Sequence, residues 1–248
     1  MFAYQRALAS ICLLVVETGL ATAQPVPVSP PSAANAPAFA EPGVPNMLCT
    51  APDVRQWDNC VGALTYPNGN AYRSEFHHGM RDGIGAIAIK AKGVSTRNNI
   101  LSNEPSLYIG QFQGNRLNGH GVWLTASGAA YSGTFVDNIP QPDVARRNCQ
   151  GPPSPAWTNC VATARYGNDN VYRGEFVRGQ REGMGMIEIE ATGSADDHNI
   201  RIPMPGVYIG EFSGERLNGH GLVLMSSAAF VGLFKDNLFM PSAGPGTQ

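Results

Sequence analysis

The sequence predicts an all-β protein on three observations. Tyrosine, glycine and phenylalanine recur at alternate positions in short segments with polar residues between them. Glycine occurs 29 times in 248 residues, above the usual share of about 7%. Beyond residue 23 no stretch repeats its apolar residues at helical spacing.

Residues 1–23 have the layout of a secretory signal peptide. Arg6 supplies a positive start, an apolar stretch runs from Ala7 to Val16, and Ala21-Thr22-Ala23 offers an A-x-A cleavage site. Glu17 breaks the apolar run short of the roughly 20 residues that a spanning helix needs. Ile11 stands where a lipobox before Cys12 requires a small residue. Export to a periplasmic or extracellular location is therefore expected. Residues 24–48 are rich in Pro and Ala and almost uncharged, which predicts a disordered linker biased to polyproline II.

Four cysteines follow, Cys49, Cys60, Cys149 and Cys160, in two pairs of equal spacing. Free core cysteines are one reading. A zinc site is disfavoured because no histidine sits at matching spacing in either pair. Two local disulfides fit better and agree with an oxidising compartment. Each would close a loop of about 12 residues, worth roughly 3 kcal/mol in the chain-entropy model.

From Cys49 onward the chain is a duplication. Arg116-Leu117-Asn118-Gly119-His120-Gly121 recurs unaltered at Arg216-Leu217-Asn218-Gly219-His220-Gly221, and Trp57-x-Asn59-Cys60 matches Trp157-x-Asn159-Cys160. Two units are expected, 49–140 and 141–238, each opening on a disulfide loop, with a disordered tail over 239–248.

Each unit contains a shorter period. Tyr72, Glu75, Phe76, Gly79, Gly83 and Gly85 form its first copy, and Tyr108, Gly110, Phe112, Gly114, Gly119 and Gly121 its second. Tyr131, Gly133 and Phe135 begin a third that keeps only its first strand. The other unit repeats this with Tyr172, Gly174, Glu175, Phe176, Gly179, Gly183 and Gly185, then Tyr208, Gly210, Glu211, Phe212, Gly214, Gly219 and Gly221, then Phe230, Gly232 and Phe234. Alternate residues of a strand share one face, so two rings flank a glycine there. The glycine leaves room for a ring from the neighbouring strand to lie against backbone. Arg73 and Glu75 face the other way. The glycines after each phenylalanine turn the chain, and Pro67-Asn68-Gly69-Asn70 reads as a two-residue hairpin loop centred on Asn-Gly.

Y-x-G-E-F-x-x-G-x-x-x-G-x-G resembles the MORN repeat, and Tyr172 to Gly185 fits it throughout. Tyr208 to Gly221 is nearly as close; the first unit departs at Ser74, in place of glycine, and at Gln111, in place of glutamate. The cysteine loop leading through W-x-N-C is similar to exported bacterial members of that family. The resemblance implies hairpins stacked into a twisted single-layer antiparallel sheet. Roughly 12 strands at about 4.8 Å spacing would make one sheet about 55–60 Å long; a split into two lobes is the alternative.

Net charge is −2, charged residues make up 15%, and no basic run occurs, so nucleic acid and electrostatic membrane binding are not favoured. His120 and His220 read as strand residues beside glycines, since no other histidine recurs between the units to partner them. Gly79-x-x-x-Gly83-x-Gly85 lacks the following helix and Lys-Ser/Thr pair of a phosphate loop. Glu75 and Glu175 pair with Arg73 and Arg173 on the polar face or are solvated. Trp57 and Trp157 are expected to pack over the disulfides and cap the sheet, with sugar binding as the alternative, and Arg81, Arg116, Arg181 and Arg216 line a face that is solvated or meets an anion or partner. No nucleophile, metal or cofactor motif appears, so a non-catalytic protein is expected. The leading functional reading is a protein–protein interaction module or scaffold in the cell envelope, with an unidentified partner or a second copy of itself. The second is binding of phospholipid or an envelope polymer. The third, an enzyme of unrecognised type, needs a closed pocket holding His120 or His220 beside another ionisable group.

Overall fold

A computed structural model describes residues 47–90, 100, 102–143, 145–167, 169–189 and 205–240. The expected signal peptide, nearly all of the linker and most of the tail lie outside the described residues. The first sheet takes β1 (Cys60–Thr65), β2 (Ala71–His77), β3 (Met80–Ile89), β4 (Ser106–Gln113), β5 (Arg116–Thr125), β6 (Ala130–Val136) and β7 (Ile139–Pro140) from the first half, and β8 (Ala145–Arg146) from the start of the second. The second sheet takes β9 (Cys160–Arg165), β10 (Val171–Val177), β11 (Gln180–Ile189), β12 (Gly206–Ser213), β13 (Arg216–Met225), β14 (Ala229–Lys235) and β15 (Leu238–Met240). Each sheet is antiparallel and in sequential order, one 8-stranded with β8 placed beside β6, the other 7-stranded. The terminal units, expected to stop after one strand, each add a short return strand, β7 and β15. The latter reaches two residues past 238.

Backbone handedness explains the turns. His78 and Gly79 close β2–β3 with φ of 50° and 74°, and Asp236 and Asn237 close β14–β15 with 50° and 70°. Two successive positive φ angles make the mirror-image turn whose twist matches the flanking strands. The loop at Pro67 departs from the two-residue expectation. Tyr66 and Asn70 pair, with Tyr66 N–H donating to Asn70 O at 2.8 Å, which leaves Pro67, Asn68 and Gly69 as a three-residue loop. Proline holds the φ of a normal turn at the first position, so the left-handed residue falls third, at Gly69 with φ 82°.

Both faces of each sheet are apolar, and this overturns the single-layer expectation. Between the aromatic positions stand aliphatic ones: Ile84, Ile109, Val122 and Leu124 in one sheet, Met184, Ile209, Leu222 and Leu224 in the other. These form one buried cluster spanning both halves. Neither sheet could leave that face in water, so the two stack face to face. The aromatic faces form clusters confined to one sheet each, with edge-to-face rings such as Tyr108–Phe112 at 5.4 Å and Tyr208–Phe234 at 5.0 Å.

Two straps join the sheets at their edges. Met47 donates N–H to Ala229 O of β14 at 2.8 Å, and its carbonyl accepts from Val61 N of β1 at 2.6 Å. Arg147 repeats this at the opposite edge, donating to Ala130 O of β6 at 2.9 Å and accepting from Val161 N of β9 at 2.5 Å. The halves are thus related by an approximate two-fold axis, each strap crossing to the other sheet.

Candidate interaction site at the seam between the sheets

The repeat motif is consumed by the fold. Tyr108 folds back over its own strand, where a Cβ at Gly110 would lie 2.6 Å from its hydroxyl oxygen, and over the cross-strand Gly121. The hydroxyl then donates to Gln111 O at 3.0 Å. Tyr172 and Tyr208 repeat this arrangement. The ring covering each glycine thus comes from the same strand as well as facing the next. At the first repeat Ser74 takes up the space opposite Gly85. Tyr72 there stacks under the Arg81 guanidinium, 4.1 Å from its ring centre.

The motif glutamate has a backbone task. The ladder between β10 and β11 shifts register between Gly174 and Phe176, at Glu175. The freed N–H of Met184 donates to Glu175 Oε2 at 2.7 Å. Ile84 donates to Glu75 Oε1 at 2.8 Å, His120 N to Gln111 Oε1 at 2.9 Å and His220 N to Glu211 Oε2 at 3.0 Å. A side-chain carbonyl oxygen suffices, which is why Gln111 serves as well as glutamate. The bulge glycines follow: Gly83 has φ 106°, and a Cβ there would lie 2.6 Å from the Glu75 carboxyl carbon.

These glutamates lie at the seam instead of on a solvated face. His120 Nε2 sits 3.0 Å from Glu175 Oε2, and Ser132 donates to the other oxygen of that carboxylate. Crosswise, His220 Nδ1 lies 4.0 Å from Glu75 Oε1. Each histidine therefore meets the glutamate of the opposite half, a partnership that reading either half alone does not reveal. The crossed pairs are unequal, because Val231 stands at the register position of Ser132. Burial pushes Glu75 up to about 7. Burial also pushes Glu175 upward, but the bonds from His120 and Ser132 outweigh it and leave that carboxyl below its ordinary value. The Glu175 bond in turn raises His120, whereas burial lowers His220.

Arg73 and Arg173, expected beside Glu75 and Glu175, are buried and converge on Glu188, at 3.3 and 2.5 Å. Arg81 and Arg181, expected on an exposed row, are 4% and 0% exposed. Arg81 donates to Asn115 O at 2.8 Å and Arg181 to Glu215 O at 2.9 Å. Only Arg116 and Arg216 of that row reach the surface, each beside an aspartate, Asp137 or Asp236. Both disulfides form, Cys49–Cys60 and Cys149–Cys160. Trp57 packs edge-on to Phe76 at 4.8 Å and Trp157 to Phe176 at 5.0 Å, beside the cystines.

The seam opens at one end into a cleft of about 560 Å³. Asp82, Gln111, Gln113, Asn118 and Thr134 of the first sheet line it, together with His220 of the second. His220 is the part of this lining that comes from the second sheet, a neighbour that the repeat of the first half does not reveal. Large apolar side chains reach solvent at the terminal hairpins: Val136 and Ile139 on β6–β7, and Leu233, Leu238 and Met240 on β14–β15. Among the described residues no helix is long and apolar enough to cross a membrane, and no group of three His, Cys, Asp or Glu is arranged to hold a metal ion.

Comparison with known proteins agrees with the geometry. The family model described as MORN repeat matches residues 72–86, 108–130 and 172–188. Rat and human alsin are each 32% identical over 78 residues, which is 32% of this chain but 4% of alsin. Over those three stretches this chain matches the MORN repeat.

Proposed function

We propose that this protein is an exported, non-catalytic interaction module that docks a protein partner in the cell envelope. One observation carries the reading. The motif residues face inward, while the terminal hairpins turn Val136, Ile139, Leu233, Leu238 and Met240 outward, 45–62% exposed. Apolar side chains gathered at the free end of a sheet suit a protein surface. Export is supported by the signal layout of residues 1–23 and by two disulfides, which persist in oxidising compartments. The inward use of the tyrosines, glycines and glutamates supports a non-catalytic role. Binding of phospholipid or an envelope polymer is the second reading, favoured by the cleft at the seam.

Capture from periplasmic extract with chemical cross-linking tests the first reading. A discrete protein is expected on the wild-type chain and is expected to be lost on the double variant Ile139→Asp, Leu238→Asp. Equal recovery on both would overturn the hairpin surface, and sedimentation of the chain with liposomes would move the assignment to lipid.

A further inference from the structure

The two halves use the same positions for different ends at the mouth of the seam. In the first half, Gln111 gives its Oε1 to His120 N at 2.9 Å. Asn118 gives its Oδ1 to Asp137 N at 3.0 Å, and Asp82 gives its Oδ2 to Gly114 N at 3.1 Å. An amide that accepts through its oxygen keeps its NH2 group, and a carboxylate that accepts through one oxygen keeps the other. In the second half the same donors are missing or spent. Glu211 stands for Gln111 and has no NH2, while Asn218 Nδ2 turns back to Ser213 O at 3.4 Å. Gln113 likewise stands where the second half has Ser213. The fold tolerates either set, since both bulges form the same backbone bond. The amide-rich set belongs to the half whose residues line the 560 Å³ cleft.

We infer that this cleft is a binding site for an uncharged, hydroxyl-rich ligand, a short saccharide segment. Planar amides and one carboxylate match vicinal hydroxyls, each of which both donates and accepts. No lysine or arginine lines the cleft, and burial holds its His220 below the ordinary imidazole value, so the lining favours an uncharged ligand over a phosphate. Its volume falls within the range of ligand pockets, about 300–1,000 Å³. The sister half, with Glu211 and Ser213, offers fewer donors and more negative charge. The site goes beyond protein docking: it meets the terminal hairpins only on β6, through Thr134, Phe135 and Val136, while Ile139, Leu233, Leu238 and Met240 lie outside its lining.

Titration of the full-length, 15N-labelled chain with maltotriose, cellotriose and triacetylchitotriose tests the site, with inorganic phosphate and a short-chain phosphatidylglycerol as comparison probes. At least one trisaccharide is expected to shift the side-chain amide resonances of Gln111 and Asn118 in a saturable manner. Gln111→Glu keeps the backbone bond, as Glu211 does, and removes the NH2. It is expected to weaken binding about tenfold while the unfolding midpoint stays close to wild type. Asn118→Asp gives a second, independent variant with the same expected loss. Absence of any saturable shift with all three sugars overturns the inference, as does unchanged affinity in both variants. Preferential shifts with phosphate or the phospholipid overturn the ligand class. None of these outcomes bears on capture of a protein through Ile139 and Leu238, which do not line the cleft.

Discussion

Glycine does two separable things in this chain, and paired substitutions can tell them apart. Gly114 has φ 54° in a turn, with nothing within 4 Å of where a Cβ would be. Gly183 has φ 64° and abuts the Glu175 carboxylate. Alanine at Gly114 adds only the left-handed backbone cost, about 1 kcal/mol. Alanine at Gly183 adds a similar cost and also pushes Glu175 from the Met184 N–H, a partly buried hydrogen bond whose loss adds about 1–3 kcal/mol. Urea unfolding of Gly114→Ala and Gly183→Ala is therefore expected to rank them in that order. Equal losses would mean that the carboxylate shifts without cost. The same logic accounts for the departures from the repeat at Ser74 and Gln111. Ser74 alters where Tyr72 packs, whereas Gln111 leaves the bulge intact.

At the scale of elements, the hairpins were legible because their determinants are local. Tyr172 to Gly185 specifies a strand, a turn with positive φ, a bulge and a return strand within one short segment. The cysteine loops were legible for the same reason: Cys149 and Cys160 close a loop whose tryptophan packs onto Phe176. The three-residue loop at Pro67 was less so, because Asn-Gly suits several turn lengths and proline's fixed φ decides among them. Replacing Cys149 and Cys160 together by alanine is expected to cost about 3 kcal/mol by the loop-entropy model. The unfolding midpoint in urea, with and without reductant, reads this. Reductant is expected to destabilise the wild type and to affect the double variant less, since Cys49–Cys60 remains there. A wild-type midpoint insensitive to reductant would show that the loops are held by packing alone.

At the scale of the whole molecule, the seam was not legible, because its contacts join residues of different halves. His120 and Glu175 lie 55 positions apart, and Arg73 and Glu188 lie 115 apart; neither spacing leaves a mark on the repeat. The aliphatic residues between the rings were the available signal, since a strand apolar on both faces calls for a second layer. Glu188 stands where the first half has Ala88, so one carboxylate near the two-fold axis serves both Arg73 and Arg173. The unequal glutamates predict a pH effect. Glu75 titrates near 7 in the fold and near the ordinary value of about 4.3 when unfolded. Between those values the folded state holds the extra proton, so stability falls as pH rises through 7. The contribution is on the order of 3–4 kcal/mol. Glu75→Gln keeps an acceptor for Ile84 N and is expected to flatten that decline, becoming more stable than wild type at pH 8 but not at pH 4. A parallel decline in both proteins would exclude Glu75 as its source. The strap at Met47 has a mechanical consequence. Tension drawn through the chain ahead of it loads Ala229 in one sheet and Val61 in the other together. A pull from that side strains both layers at one junction before it reaches any hairpin, so that junction is where the folded part would begin to yield.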